Sequence, residues 1–242
     1  MIEDLRAMPD TLLLWDVDHT LIENGGVSKA TYARAFKIIT GREAEVRPVT
    51  DGRTDFIILH DLLAANGADA SPFTSVEQFI GPLTEAMKVE GPRLPEVGYV
   101  LPGVINALEA LSTVPTVMQS VLTGNIHENA VAKLAPFDLV KYLDLDVAGY
   151  GSDHHVRSKL VDIARSKVAA KYGKTFDRDS TILIGDTPMD VKAAHDGGAK
   201  VIAVASGRYG VEELRDAGAE ATLETLADLD DLIRLLVQLR AA

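Results

Sequence analysis

The stretch Leu12-Leu13-Leu14-Trp15-Asp16-Val17-Asp18-His19-Thr20 constrains this chain more than any other. An apolar run of strand length ends in two aspartates one residue apart, followed by a histidine and a threonine. A short continuous apolar run bounded by polar residues marks a strand buried on both faces, as in a parallel sheet. Such a strand delivers whatever follows it to the carboxyl edge of the sheet, where open α/β sheets bind ligands. Two carboxylates at that edge suggest chemistry, although taken alone they also fit turn residues.

With 242 residues, 47% of them hydrophobic, the chain has material for one large core, or for a core plus a smaller inserted domain. No apolar run approaches the roughly 20 residues that span a bilayer. The start Met1-Ile2-Glu3-Asp4-Leu5-Arg6 lacks the layout of a signal peptide, so a cytoplasmic location is expected. The absence of cysteine excludes disulfide and thiolate chemistry. A net charge of −12 argues against nucleic acid or an anionic membrane as partner. An anionic substrate would then need a local cation, from a metal or from Lys and Arg. Oligomeric state leaves no mark on the sequence.

The spacing of Tyr32, Ala35, Phe36 and Ile39 predicts a helix over residues 28–39, with Ser28 as N-cap and Gly41 ending it. A second helix over 56–65 has Thr54 or Asp55 as cap, and a third runs from the capping-box pair Ser75 and Gln78 to about residue 89. Three helices without a strand between them do not continue a βαβ sheet. Pro92, Pro95 and Pro102, with Gly91, Gly98 and Gly103, then punctuate a linker. Beyond it the alternation is regular. Helices are expected over 104–111, 126–134, 158–172, 188–196, 211–217 and 226–239, and strands over 114–122, 143–147, 181–184, 200–205 and 221–223. This is an α/β chain with a doubly wound parallel sheet, formed by residues 1–23 and 99–242, and residues 24–98 are a helical insertion.

Three later strands end as suggestively as the first. One runs into Thr123-Gly124-Asn125, one into Gly185-Asp186-Thr187-Pro188-Met189-Asp190, and the strand near Leu145 leads to Arg157 and Lys159 at a helix start. If all are parallel, Asp16, Asp18, Thr123, Asn125, Arg157 or Lys159, Asp186 and Asp190 surround one crevice. With these residues placed, the chain resembles the haloacid dehalogenase-like superfamily of phosphotransferases. Its first motif, Asp-x-Asp-x-Thr after an apolar strand, matches residues 16–20. Its second, a Thr or Ser at a strand end, matches Thr123. Its fourth, Gly-Asp-x-x-x-Asp, matches Gly185, Asp186 and Asp190. The resemblance implies a Rossmann-like core with a mobile cap of the first type, as in phosphoglycolate phosphatase-like members.

It also implies roles. A carboxylate approaches a phosphoryl group only where cations neutralise the repulsion. Mg2+ suits a few carboxylates and a substrate phosphate. By resemblance Asp16 is the nucleophile and forms an aspartyl phosphate, and Asp18 is the acid and then the base. Asp16, the backbone carbonyl of Asp18, and Asp186 hold the metal, while Asp190 supports its water shell or orients the cation. Thr20, Thr123, Gly124 and Asn125 belong to the substrate's phosphoryl pocket, at a helix N-terminus. Asp190 also fits a helix capped by Thr187, and Asn125 with Glu128 also fits a helix cap. Asp16 and Asp18 would point apart in a strand, so the chain must turn there.

The third motif is a Lys or Arg at a helix start. Arg157 is preferred, since a guanidinium chelates phosphate oxygens, with Lys159 as the other candidate. In the insertion, Arg53 is the residue most expected to meet an anionic substrate. His19 stands where the family usually has glycine. Asp153-His154-His155 has no spacing typical of a metal site. The implied activity is a Mg2+-dependent phosphatase acting on a small phosphorylated metabolite. A phosphomutase, which passes the phosphoryl group to a sugar, shares the same motif residues. A receiver-like signalling module shares the acidic cluster, but has about half the length and no cap.

Overall fold

The computed structural model describes residues 2–241. A short N-terminal helix, α1 (Ile2–Arg6), precedes β1 (Thr11–Trp15). The segment leading away from β1 contains β2 (Ile22–Glu23), α2 (Val27–Thr40), α3 (Asp55–Ala65), α4 (Glu77–Glu90), α5 (Leu94–Val97) and β3 (Tyr99–Val100). Then come α6 (Val104–Ser112), β4 (Val117–Thr123), α7 (His127–Leu134), β5 (Gly149–Tyr150), α8 (Lys159–Tyr172), β6 (Thr181–Gly185) and α9 (Pro188–Asp196). The chain closes with β7 (Lys200–Val204), α10 (Val211–Asp216), β8 (Ala221–Leu223) and α11 (Leu229–Ala241).

The main sheet has the order β5-β4-β1-β6-β7-β8, and every pair in it is parallel. Side chains of a strand alternate between faces, and both faces of β1 are covered. Leu13 and Trp15 pack with α6, α7 and α11 on one face, whereas Leu12 and Leu14 pack with α8 and α9 on the other. β1 lies between β4 and β6, so the strand order reverses direction at β1 and the crevice for a ligand opens at its carboxyl end. The ladder continues one residue past β1, where the Asp16 amide donates to the Ile184 carbonyl at 2.8 Å. Beyond Val17 the chain turns, with the amides of Leu21 and Ile22 both donating to the Val17 carbonyl. This is the turn that the Asp16 and Asp18 pair requires.

The insertion leaves and rejoins the core through one antiparallel pair, Ile22 with Val100 and Glu23 with Tyr99. Its helices bury a separate cluster, including Tyr32 and Phe36 of α2, Leu59 and Leu63 of α3, and Phe79 and Leu83 of α4, to which α7 contributes Ile126. Two local expectations fail for a physical reason. Residues 143–147 form no strand, because the Asp144 side chain accepts from the Asp146 amide and winds Leu145–Val147 into a 3-10 turn. The strand is instead the two-residue β5 further on. Ser28 does not cap α2, which starts one residue earlier behind Gly26, and its hydroxyl is used elsewhere.

Candidate active site

Asp16 sits one residue past the central strand, buried, and its Oδ1 accepts from Arg157 NH2 at 2.7 Å. Arg157 lies just before α8, also buried, and donates from Nε and NH2 to Asp190 Oδ1 at 3.0 and 2.6 Å. One guanidinium thus bridges carboxylates from two motifs, which a single ammonium cannot do with the same geometry. Asp190 is fixed from its other side by a capping box at the start of α9, accepting from the Thr187 amide and hydroxyl at 3.1 and 2.7 Å. The two readings of Asp190 therefore coincide: it caps a helix and orients the cation. Asp186, at the end of β6, completes a buried triad whose oxygens lie within 4.8 Å of one another across Asp16, Asp186 and Asp190.

Burial drives the electrostatics here. It raises the Asp16 carboxyl to about 6, against the opposing pull of Arg157. It raises Asp186 further, to about 9, with Asp190 and Asp16 adding repulsion. Burial alone would lower the Arg157 guanidinium, but Asp190 and Asp16 outweigh it and hold the group firmly charged. Three carboxylates share one guanidinium, which touches only Asp16 and Asp190, and this deficit of positive charge suits a hard divalent cation with oxygen ligands. Asp190 is already engaged by Arg157 and Thr187, so Asp16 and Asp186 are the carboxylates left for such an ion.

Asp18 lines the same cavity as Asp16 and Asp186 but is held by a different set of partners. Its Oδ1 accepts from Asn24 Nδ2 at 2.8 Å and Ser28 Oγ at 3.3 Å, and its Oδ2 from Asn125 Nδ2 at 2.9 Å and Lys133 Nζ at 2.6 Å. Burial would raise its carboxyl, but the Lys133 charge and hydrogen bond, with Asn125, bring it down to about 2. Lys133 is itself buried and has a second acceptor in Asn125 Oδ1 at 2.6 Å. Sequence reasoning missed this residue, because a lysine in the last turn of a helix reads as a partner of the helix dipole. The available signal was its place on the buried face with Asn129, Ala130 and Leu134.

A cavity of about 360 Å³ opens over these groups and is lined by Asp16, Asp18, Thr123, Gly124, Asn125, Arg157 and Asp186 from the core. Lys29, Tyr32 and Arg53 line it from the insertion. Several expected residues lie elsewhere or are otherwise engaged. Lys159 is exposed and lines a separate groove with His154 and Asp162, so Arg157 alone of the two reaches the triad. Thr20 is fully buried and donates to Asp186 Oδ1 at 3.2 Å, positioning that carboxylate without lining the cavity. Arg53 reaches the cavity wall, but its NH1 is paired with Asp61 Oδ2 at 2.8 Å. Asn125 does not cap α7; its Nδ2 donates to Thr123 Oγ1 at 2.7 Å and to Asp18.

The cap of α7 comes from the insertion. Asp55 Oδ2 accepts from the Ile126 amide at 2.8 Å, while Oδ1 accepts from the Tyr32 hydroxyl at 2.5 Å. The neighbouring Thr54 hydroxyl donates to the His155 carbonyl at 2.8 Å, and the Asp55 amide to the Gly124 carbonyl at 2.8 Å. Gly124 permits this approach, since a Cβ there would lie 2.0 Å from the Arg53 carbonyl oxygen. The His154 and His155 rings stack with centroids 4.8 Å apart, but with Asp153 they form no metal-holding group among the described residues. Asp153 pairs with Lys167, His154 Nδ1 accepts from the Val156 amide, and the His155 ring packs against Phe56.

A HAD-hydrolase-like family model matches residues 156–232, the part of the chain that carries Arg157, Asp186 and Asp190. Over 237 residues, covering 96% of each chain, the sequence is 23% identical to a "Probable phosphatase IndB" of Dickeya dadantii. Residues 156–232 are thus haloacid dehalogenase-like in sequence. The haloacid dehalogenase-like fold is shared across nearly the whole length of the chain with solved structures. A hydrolase from Pseudomonas syringae is 20% identical with a TM-score of 0.68, covering 94% of this chain and 99% of its own. A family IA variant 3 HAD hydrolase from Entamoeba histolytica is 19% identical with a TM-score of 0.68, covering 96% of this chain and 100% of its own. Among the described residues, no helix is long and apolar enough to cross a membrane.

Proposed function

We propose that this chain is a Mg2+-dependent phosphatase of small phosphorylated metabolites, with residues 1–23 and 99–242 as catalytic core and residues 24–98 as a cap that closes over it. The observation that carries this reading is the Asp16 carboxylate, bound by Arg157 at 2.7 Å beside Asp186 on the floor of a cavity sized for a small molecule. The similarity to the probable phosphatase of Dickeya dadantii supports the same reading.

Mg2+ held by Asp16 and Asp186 would neutralise charge on the phosphoryl group and its nucleophile. An Asp16 oxygen attacks phosphorus as the bond from phosphorus to the leaving oxygen breaks, giving an aspartyl phosphate. Water then attacks phosphorus, Asp18 takes its proton, and the acyl phosphate bond breaks to restore the Asp16 carboxylate. Arg157 holds Asp16 in place, and the Gly124 amide near the start of α7 offers a donor to phosphoryl oxygens. Lys133 keeps Asp18 ionised, which suits the base step. In the first step Asp18, in its protonated form, gives its proton to the leaving oxygen, and it regains one from the water in the second.

The test is steady-state hydrolysis of a panel of phosphate monoesters with Mg2+, read as inorganic phosphate released. Asp16→Asn should remove turnover by at least about a thousandfold. Full activity in that variant overturns the mechanism. Transfer to a sugar hydroxyl would release no phosphate, so the same readout separates the phosphatase from a phosphomutase.

A further inference from the structure

His19 carries backbone strain. Its φ is +61°, and among the described non-glycine residues only Asp138 shares a positive φ. A side chain in this left-handed region is strained relative to glycine, although histidine tolerates it better than most residues. The surroundings enforce the conformation: the His19 amide donates to the Ile22 carbonyl at 2.7 Å, and the His19 carbonyl accepts from the Ser206 hydroxyl at 2.6 Å. The ring is fixed as well. Nδ1 meets Glu23 Oε2 at 2.8 Å, and Glu23 is held in β2 by pairing with Tyr99, with its Oε1 accepting from the Gly25 amide at 2.9 Å.

A carboxylate on one ring nitrogen orients an imidazole and leaves the other for a ligand. His19 Nε2 has no hydrogen-bond partner among the described residues, and both His19 and Glu23 line the cavity that contains Asp16 and Asp186. Beside His19 stands the Glu23 carboxylate, and the insertion contributes the Lys29 ammonium to the same wall. An anion placed at Nε2 would face the Glu23 carboxylate across the ring, which disfavours it at that position. A hydroxyl is neutral, and as donor and acceptor in one group it matches Nε2 in either protonation state.

Building on the phosphatase reading, we propose that His19, oriented by Glu23, is a specificity residue that hydrogen-bonds a hydroxyl on the leaving-group part of the substrate. The preferred substrates are then phosphate esters of small polyols or sugars, ahead of esters whose leaving group has no hydroxyl.

Glycerol 1-phosphate and n-propyl phosphate test this, because their leaving groups differ in hydroxyls at nearly constant size. The wild type should prefer glycerol 1-phosphate by about tenfold in kcat/KM, mostly through KM. His19→Gly relaxes the backbone at that position, so its fold is secure, and it should collapse the preference to below about twofold. Calorimetric binding of both esters to Asp16→Asn protein with Mg2+, with and without His19→Gly, should show the same preference and the same collapse in Kd. A wild-type ratio near one, or a ratio that survives His19→Gly in both measurements, overturns the proposal. If neither ester is turned over but the His19-dependent binding preference is present, the phosphatase reading fails and this one stands. If neither ester binds, both fail.

Discussion

Lys133 donates to Asp18 and Asn125 from a side chain that is 1% exposed, so its charge is stabilised by those two oxygens and not by solvent. Removing one partner of a buried charged pair strands the other, at a cost of several kcal/mol. Lys133→Met keeps the apolar stem and deletes the ammonium. It should lower the unfolding free energy in urea at pH 7 by about 3 kcal/mol. Asp18 is held at about 2, below its ordinary 3.8, so the stability it contributes is complete above pH 3.8 and lost as pH falls through about 2. The deficit of the variant should therefore narrow on acidification below pH 4, and equal stabilities at pH 7 would show that the pair contributes nothing. Arg157 was legible in the sequence because a helix start after a sheet strand limits the candidates to two. Lys133 was not, because its partner lies 115 residues away on another strand end.

At the scale of elements, α7 is capped by a carboxylate from α3, and that contact joins the insertion to the core. Burial raises Asp55 to about 6, against the lowering effects of Lys133 and the Tyr32 hydrogen bond. The native state then binds a proton more tightly than the unfolded chain. The stability from this group is complete below about pH 4 and is lost as pH rises through 6, with a ceiling of about 3 kcal/mol. Asp55→Asn has no such titration. The stability advantage of the wild type over this variant in urea melts should therefore shrink from pH 4.5 to pH 7. An advantage that is flat or grows with pH refutes the assignment. Helices with periodic apolar faces and strands with unbroken apolar runs were legible, and the bounds of α9 and β8 match the expected ones. β5 and the β2/β3 pair were not, since two-residue strands carry no periodicity and are defined by their partners.

The acidic triad exists only in the assembled molecule. Asp16 follows β1, Asp186 ends β6 and Asp190 lies in α9, and parallel pairing of β1 with β6 brings the first two side by side. The motif spacing made this convergence legible, whereas the occupation of Asp190 by Arg157 and Thr187 depends on side-chain packing that no spacing encodes. A ligand that binds only the assembled site stabilises the whole fold by mass action. Mg2+ at about a hundred times its Kd should raise Tm by about 5–10 °C in a chain of this size. Asp186→Asn should abolish that increment, and an equal increment in the variant would place the ion elsewhere.

The β2/β3 pair sets how freely this architecture can be remodelled. Chain entering the insertion at Glu23 and chain leaving it at Tyr99 are cross-strand neighbours, so the covalent entry and exit lie side by side. Lengthening, shortening or exchanging what lies between them alters no register in the parallel sheet and adds only the slow logarithmic cost of a longer loop. Substrate preference can therefore drift through the inserted helices while the machinery around Asp16 stays fixed. Contacts such as that of Asp55 limit this freedom, because any replacement insertion must supply another acceptor for the Ile126 amide.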